Sequence, residues 1–594
     1  MTRLSLIVGS LALVLLGRLA SLPAERPQAP PIDPADWPTY NRDVLGTRHN
    51  PVEKHLSRDN VAQLVEKWRY PPPLSLDLVG VISGTPVVVN GYVYFGTATL
   101  PAVYKLTPDG KRQWIYRPKN AALLPTSVVT SGLPDSGFAN SPLVTADTVY
   151  IADVGGRLYA LERATGKERW VVDTRAKPFP GAHASNCIFA APILAADKLI
   201  LAGGGFEHFA ATHLGEKCCT GRGFVAALEP LTGKTLWKYE VGPEPRKFSK
   251  PVKIDGRVYH YGPSTSSVWC TPSYDATTGL ITFGTDAHNS PREPTADDPR
   301  TYTKHSCAII ALDATTGKEK WVTQINPGDI WNYSHNTYDA KTGLYKDQSI
   351  GDTPKPYTLT IEGKPRRVVG AGCKNGVFYV LDALTGQILF HTPQYKGPPS
   401  NHPKDVPARM LALPGAAGGL QTGCATDGKA IYTNGMDMPL LGYNMQADKR
   451  YQPPIGGRVV CLSLDTQREF WRHERPRVQA VGGTPDKPAF TNVGDPVAAG
   501  IALANGVAYF TTQVSNQLVA VDTSTGKKLK EIPLGPVWCG PSVSRGRVYV
   551  GTGNLLFAPS DPQEAFFPKQ PYGRLLCFGL PGRDEVDKLG SGTD

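Results

Sequence analysis

Apolar and polar positions alternate along the chain in short runs, and the runs recur in a fixed unit. Runs such as VYIAD and VYVGTGN have a period of two, which predicts β-strands that pack on one face. A phrase L-x-x-x-T-G-K followed by Trp ends several units, and its Gly supplies a left-handed turn conformation. The clearest copies are YALERATGKERW (Tyr159–Trp170), VAALEPLTGKTLW (Val225–Trp237) and IIALDATTGKEKW (Ile309–Trp321).

This repeat predicts a closed ring of small sheets. A single four-stranded sheet cannot bury its own faces, so copies must stack, and ring closure leaves only short, protected edges. Roughly eight units are recognisable, at the upper end of the usual range of about 4–8 blades. VAQLVEKWRY (Val61–Tyr70) resembles an outer strand without inner partners and is expected to complete the last blade beside RLLCFGL (Arg574–Leu580). The predicted fold is all-β, an eight-bladed β-propeller of four-stranded antiparallel blades.

Composition and charge agree with this fold and argue against one class of partner. The 594 residues include 61 Gly and 54 Pro, which suits many turns, and a propeller grows by adding blades. The net charge is +11, but Lys and Arg are scattered and many lie in or beside the TGK turns. Because no basic stripe with interleaved aromatic residues is present, no nucleic-acid partner is expected.

The N-terminus has the pattern of an export signal. Arg3 precedes the apolar run Leu4–Gly17, which suits a signal peptide and is short for a membrane span of about 20 residues. We expect a signal peptide at 1–24, a Pro-rich linker at 25–35, the propeller at 36–582 and a C-terminal tail at 583–594. The mature protein would be periplasmic or secreted, with no stable membrane span. An uncleaved anchor is the alternative.

The chain has ten cysteines, and export would make disulfides possible. Cys218 and Cys219 are adjacent, so a bond between them would close a strained ring; two separate thiols, or bonds to distant partners, are the alternatives. Cys270 and Cys539 both occur in a VWC phrase, which predicts equivalent positions near the central channel. No C-x-x-C-H motif occurs, so a covalent c-type haem is not expected.

Six sequence blocks in a fixed order carry a resemblance to a known family. The chain resembles the pyrroloquinoline quinone (PQQ)-dependent alcohol dehydrogenases, and within them the polyvinyl alcohol dehydrogenase-like branch. The resemblance covers nearly the whole mature chain. The blocks are DWPTYNRDVLGTRHNP (Asp36–Pro51), GFEHFAATHLGEKCCTGRGFVAALE (Gly205–Glu229), SSVWCTPSYDATTGLITFGT (Ser266–Thr285), GDIWNYSHN (Gly328–Asn336), KNGVFYVLD (Lys374–Asp382) and GGLQTGCATDGKAIY (Gly418–Tyr432).

The resemblance implies a cofactor site in the central channel, with PQQ between a Trp and a vicinal disulfide and with Ca²⁺ bridging it to the protein. Trp269 matches the stacking Trp, and Cys218–Cys219 resemble the disulfide block. Glu207 matches the metal-binding carboxylate, and Lys374 matches the cation that hydrogen-bonds the quinone oxygens. Three of these residues have an ordinary alternative: Trp269 could be a blade-core residue, Glu207 a solvated rim residue and Lys374 a turn residue.

Two positions depart from the family pattern. Ala287 occupies the aligned place of the second metal ligand, and either Asp286 or Asn289 could substitute because both offer oxygen. Asn332 stands where the family has its catalytic base, and an amide cannot accept the alcohol proton. Asp329, on the same loop, is the leading substitute base and Asp286 the second, although an Asp after Pro-Gly commonly only caps a turn.

The expected function is that of an exported PQQ-dependent dehydrogenase. It would oxidise a small-molecule or polymeric alcohol and pass electrons to a separate acceptor such as a cytochrome c. Calcium is favoured over a lanthanide because Ser334 replaces the extra Asp that resembles the lanthanide type. The alternative is a non-catalytic propeller that serves as a binding or assembly scaffold.

Overall fold

The computed structural model describes most of the region predicted to form the propeller. The described residues are 33–119, 121, 137–207, 219–254, 257–264, 266–290, 303–331, 338–339, 344–345, 347–394, 414, 418–437, 456–465, 468–484, 487–555, 570–582 and 586. The predicted signal peptide, Cys218 and Asn332 lie outside these ranges. Among the residues within them, no helical segment has both the length and the apolar character needed to span a bilayer.

Eight four-stranded antiparallel sheets form the blades, and the predicted eight-bladed propeller is confirmed. In each blade the innermost strand comes first and the outermost last, except in the blade that closes the ring. Blades 1 to 4 comprise Val87–Val89, Tyr92–Gly96, Val103–Leu106 and Arg112–Tyr116; Leu143–Val144, Thr148–Ala152, Arg157–Glu162 and Glu168–Asp173; Ile193–Ala195, Lys198–Gly205, Phe224–Leu228 and Thr235–Glu240; and Ser273–Asp275, Leu280–Gly284, Ala308–Asp313 and Glu319–Gln324.

The second half of the ring continues the same order. Blades 5 to 8 comprise Lys355–Ile361, Lys364–Gly372, Val377–Asp382 and Ile388–Pro393; Ala425–Thr426, Ala430–Asp437, Gly456–Ser463 and Glu469–Glu474; Ala502–Ala504, Val507–Thr511, Gln517–Asp522 and Lys528–Pro533; and Ser542–Ser544, Arg547–Gly551, Leu575–Gly579 and Val65–Tyr70. Further elements are the short strands His49–Asn50 and Asn186–Cys187, a 3₁₀ turn at Val61–Gln63, and the hairpins Arg246–Ile254 with Arg257–Gly262, Tyr338–Asp339 with Leu344–Tyr345, and Val478–Thr484 with Lys487–Val493.

The ring closes by pairing its two ends. The N-terminal strand Val65–Tyr70 runs antiparallel to Leu575–Gly579 as the outermost strand of blade 8. The predicted completion of the last blade by Val61–Tyr70 is therefore confirmed, with the strand beginning at Val65. This pairing joins distant parts of the chain and gives the last blade its fourth strand, which closes the ring.

The apolar core lies between the blades. Tyr94 and Trp114 of blade 1 share one buried cluster with Val149 and Tyr159 of blade 2, and similar clusters join the later neighbours. This arrangement explains the alternation in the sequence, since each strand presents alternate side chains to its neighbouring sheets.

The Trp that ends a repeat packs on the turn glycine of the next blade. Gly166 has φ +75°, and a Cβ there would lie 2.7 Å from Cδ2 of Trp114. Glycine alone fits both this left-handed conformation and the close ring. The same contact joins the following pairs: Gly110 with Trp68, Gly233 with Trp170, Gly317 with Trp237, Gly386 with Trp321, and Gly526 with Trp471.

The N-terminal block Asp36–Pro51 runs across the inner strands of several blades. Trp37 bridges Val88 of blade 1, and the amide of Thr426 in blade 6 donates to the carbonyl of Thr47. The fully buried Arg48 donates to the carbonyls of Tyr40 and Ile501 at 2.7 Å each. This block therefore ties blades to one another.

Candidate functional site

Three of the predicted site residues come together where strands of blades 4 and 5 end. Asp286 follows Leu280–Gly284, Asp329 follows Glu319–Gln324, and Lys374 follows Lys364–Gly372. Burial raises the pKa of Asp286; the charge of Lys374 lowers it, and the charge of Asp329 adds to the rise. Two adjacent blades thus bring these carboxylates and one cation into a single cluster.

Asp347 is a fourth member of this cluster, and sequence reasoning missed it. Its Oδ2 forms an ion pair with Nζ of Lys374 at 2.5 Å, and both side chains are buried. The backbone of Asp347 has φ +86°, an uncommon conformation for a residue other than glycine. No motif marks this position, because the segment between the WNY phrase and blade 5 matches none of the quoted blocks.

Asp329 holds the loop that carries Asp347. Its Oδ1 accepts a hydrogen bond from the amide of Asp347 at 2.8 Å, and its Oδ2 accepts one from the amide of Gln348 at 2.6 Å. The thiol of Cys307 also donates to Oδ2, at 3.3 Å. Asp329 therefore caps a loop, although a different one from the Pro-Gly turn considered from the sequence; its predicted role as base stays a prediction.

Burial disfavours the ionised form of the carboxyl groups in this cluster. It raises the pKa of Asp286 to about 6, while the nearby Lys374 opposes the rise. Burial also raises the pKa of Asp347 well above its usual range, again against the effect of Lys374. The Asp286 carboxyl, with its pKa raised to about 6, is therefore suited to holding or releasing a proton near neutral pH.

Trp269 lies beside the same loop, four residues before the inner strand of blade 4 begins at Ser273. Its partly exposed indole packs edge-on against Gly351, where a Cβ would lie 1.9 Å from Cη2 of the ring and 2.4 Å from the carbonyl oxygen of Gln421. Gly351 and Asp347 belong to one loop, whose Ser349 carbonyl accepts a hydrogen bond from the Lys374 amide at 3.0 Å. The loop thus contacts both Trp269 and Lys374.

Glu207 follows the second strand of blade 3, and its buried carboxylate is held by backbone. Its Oε2 accepts from the amide of Gly221 at 2.7 Å and its Oε1 from the amide of Thr220 at 3.2 Å. Burial raises its pKa, while these amides and His183 oppose the rise. The solvated-rim alternative is therefore wrong for Glu207, since its exposed fraction is 3%.

A polar link joins the Glu207 strand to the cluster of blades 4 and 5. The hydroxyl of Ser267 donates to the carbonyl of Gly205 at 2.8 Å, and the carbonyl of Ser267 accepts from the amide of Asp286 at 2.9 Å. Asn289 is buried three residues further on. The segment that carries Trp269 therefore connects the three blades that bear the predicted site residues.

A family model supplies the identification. The model described as the glucose/ethanol/alcohol dehydrogenase β-propeller domain, named PQQ, matches residues 37–410, more than half of the chain. The chain belongs to this PQQ dehydrogenase family. The resemblance inferred from the sequence blocks is confirmed. A second model, described as outer membrane protein assembly factor BamB, matches residues 456–563.

Individual relatives align with most of this chain. The chain is 26% identical over 607 aligned positions to the dehydrogenase subunit of alcohol dehydrogenase (quinone) from Gluconobacter oxydans (strain 621H), covering 93% of this chain and 75% of the relative. It is 27% identical to polyvinylalcohol dehydrogenase from Sphingopyxis sp. (strain 113P3), covering 83% and 69%. The crystal structure of quinohemoprotein alcohol dehydrogenase from Comamonas testosteroni superposes with a TM-score of 0.64 at 22% identity, covering 93% and 81%. That likeness supports the fold.

The described residues of this PQQ-family propeller fit the family's cofactor in two respects. Trp269 offers a partly exposed flat ring whose edge is fixed by Gly351, which suits a planar tricyclic quinone. Lys374 offers a cation for quinone or carboxylate oxygens. The carboxylates of Asp286, Asp329 and Asp347 would repel an acidic cofactor, which favours an additional cation at the site.

Calcium has a weaker structural basis. Glu207 is buried and forms no ion pair with another described residue, so a hard cation would stabilise its charge. Within the described ranges, however, no group of three or more His, Cys, Asp or Glu side chains is arranged to hold a metal. The ligand set Glu207, Asp286 and Asn289 therefore stays a prediction.

The cysteines divide into two groups. Eight of them, among them Cys270 and Cys539, are buried free thiols. In both VWC phrases the Cys sulfur accepts a backbone amide, from Gly284 in blade 4 and from Gly551 in blade 8, so the two positions are equivalent as predicted. Cys219 is buried and disulfide-bonded; its pairing with Cys218 stays a prediction because Cys218 lies outside the described residues.

Proposed function

We propose that this protein is a PQQ-dependent dehydrogenase that oxidises an alcohol. One observation carries the proposal: Trp269 and Lys374, matched to the family on different blades, contact one loop, where the ring packs on Gly351 and the Lys374 amide binds the Ser349 carbonyl. A scaffold protein has no evident need for a partly exposed indole beside a buried cation and three carboxylates. Its family relatives named as alcohol dehydrogenases support the same reaction class.

Different residues of the chain would bind the cofactor, hold the metal and accept the proton. Trp269 would bind one face of PQQ, and Lys374 would hydrogen-bond its oxygens and stabilise negative charge that develops during the reaction. Glu207, with Asp286 or Asn289, would hold Ca²⁺. PQQ, when bound, supplies a quinone that accepts two electrons from the alcohol. A carboxylate of the cluster would accept the proton that the alcohol hydroxyl loses.

We also propose where the protein acts, which acceptor takes its electrons and which substrate it oxidises. The N-terminal apolar run supports export to the periplasm or the medium, where a vicinal Cys218–Cys219 disulfide could persist. The chain has no C-x-x-C-H motif, so electrons would leave to a separate acceptor such as a cytochrome c. The substrate would be a small-molecule or polymeric alcohol.

The second candidate is a non-catalytic scaffold. The match of residues 456–563 to the assembly-factor model favours it for blades 6 to 8. The cofactor residues lie in blades 3 to 5, outside that match, so binding of PQQ separates the two functions.

Calorimetric titration of the purified mature protein with PQQ, with and without calcium, tests the proposal. We expect saturable binding close to one PQQ per chain, tightened by calcium, because Trp269 and Lys374 supply a face and a cation. No heat of binding under either condition would contradict the dehydrogenase function and favour the scaffold.

A further inference from the structure

The oxidation of an alcohol needs a proton acceptor that the expected motif does not supply. Asn332 stands at the family's base position, and a carboxamide has no useful basicity near neutral pH. The sequence favours Asp329 as the substitute, yet both of its oxygens already accept hydrogen bonds from backbone amides, those of Asp347 and Gln348. Another carboxylate of the cluster is therefore better placed to accept the proton.

Asp347 has the contacts that a proton acceptor needs. One oxygen, Oδ2, pairs with Lys374 Nζ at 2.5 Å, which puts the carboxylate beside the cation expected to bind the quinone. The other oxygen, Oδ1, has no hydrogen-bond partner among the described residues. A carboxylate with one oxygen anchored and one available can receive a hydroxyl group at a defined position.

The conformation of Asp347 is maintained by Asp329. A left-handed φ of +86° is unfavourable for a residue with a Cβ. The two amides donated to Asp329 fix the peptide units on both sides of this residue, and the Gln348 carbonyl accepts from Asn326 Nδ2 at 2.6 Å. Such strain persists only where the surroundings hold it, and it is concentrated at functional sites.

We propose that Asp347 is the catalytic base of this protein and that Asp329 is its positioning residue. This inference rests on the proposed function and specifies its proton acceptor. The alcohol hydroxyl would give its proton to Asp347 Oδ1 as the carbon–oxygen double bond forms. PQQ, when bound, would supply the acceptor for the hydrogen and two electrons that leave the carbinol carbon. Lys374 would hold the carboxylate in place through its ion pair with Oδ2.

The electrostatics of the cluster agree with this assignment. Burial raises the pKa of Asp347 well above that of a solvated carboxyl, and Lys374 limits the rise. The charge of Lys374 favours the ionised carboxylate, which is the form that can accept a proton.

The test compares Asp347→Asn and Asp347→Gly with the unaltered protein. Asp347→Gly also removes the carboxylate, and glycine adopts φ +86° without strain, so this variant keeps the fold if Asn does not. At saturating PQQ and alcohol we expect turnover to fall by ~10²–10⁴. The PQQ dissociation constant and the unfolding midpoint should change little, and added formate should restore part of the turnover of Asp347→Gly.

A matched control and a double variant separate the two roles. Asp382→Asn, in a turn of the same blade, should keep full turnover. Asp329→Asn should lower turnover, and Asp329→Asn combined with Asp347→Asn should be no slower than Asp347→Asn alone, because Asp329 acts only through Asp347.

Three outcomes would overturn the inference. Retention of most turnover in Asp347→Gly at saturating PQQ would exclude Asp347 as base. A loss that higher PQQ concentrations reverse would mean that Asp347 only orients Lys374. Multiplying losses in the double variant would exclude the positioning role of Asp329. Absence of PQQ binding by the unaltered protein would instead contradict the proposed function.

Discussion

Gly351→Ala is expected to weaken PQQ binding by about 10- to 100-fold, which corresponds to about 1.4–2.8 kcal/mol. The added Cβ would lie 1.9 Å from Cη2 of Trp269 and 2.4 Å from the Gln421 carbonyl. Because the carbonyl belongs to the backbone, the indole must move, and a stacking face that moves loses contact with a planar ligand. Calorimetric titration measures the change in the dissociation constant.

The control for this variant is Gly279→Ala in the blade that carries Trp269. A Cβ at Gly279 meets nothing within 4 Å, although its φ of +70° is strained for Ala. It should lower the unfolding midpoint slightly and leave PQQ affinity unchanged. Equal affinities for Gly351→Ala and the unaltered protein would show that PQQ does not stack on Trp269.

Glu207→Gln should abolish the effect of calcium on PQQ binding. The substitution keeps the size of the side chain but removes its charge, the property for which a hard cation selects. Loss of a residue that hydrogen-bonds a metal ligand typically weakens metal binding by roughly 10- to 100-fold. Loss of the ligand itself should weaken calcium binding by at least as much. Titrations of PQQ with calcium and with chelator give the ratio of the two affinities.

Glu229→Gln, in the turn of the same blade, is the control for charge removal alone, and its calcium effect should match that of the unaltered protein. A calcium effect that survives in Glu207→Gln would exclude Glu207 as a metal ligand. Its contacts with the Thr220 and Gly221 amides would then be its whole role.

The fold could be predicted in detail because the residues that form the contacts between blades recur in the repeated phrase. In the clearest copies the turn Gly lies four residues before the Trp, and the structure packs the Trp on the turn Gly of the next blade. Even the long-range closure by Val65–Tyr70 was predictable, since the last blade visibly lacked an outer strand.

The site could be predicted only where motifs mark it. Trp269, Lys374 and Glu207 lie in recognisable blocks, and the structure explains two of them: Trp269 packs on Gly351, and Lys374 binds the same loop. Asp347 has no motif. Its nearness to Lys374 depends on a left-handed φ and on two amides held by Asp329, eighteen residues earlier. No periodicity or composition reports such a tertiary arrangement.

The most direct measurement is the absorption spectrum of the PQQ-loaded protein, recorded without oxygen before and after an excess of alcohol is added. A dehydrogenase with the cluster described here should convert bound PQQ from its oxidised to its reduced spectrum with at least one primary or secondary alcohol or with polyvinyl alcohol. Stoichiometric binding of PQQ with no spectral change for any of these alcohols would contradict the account.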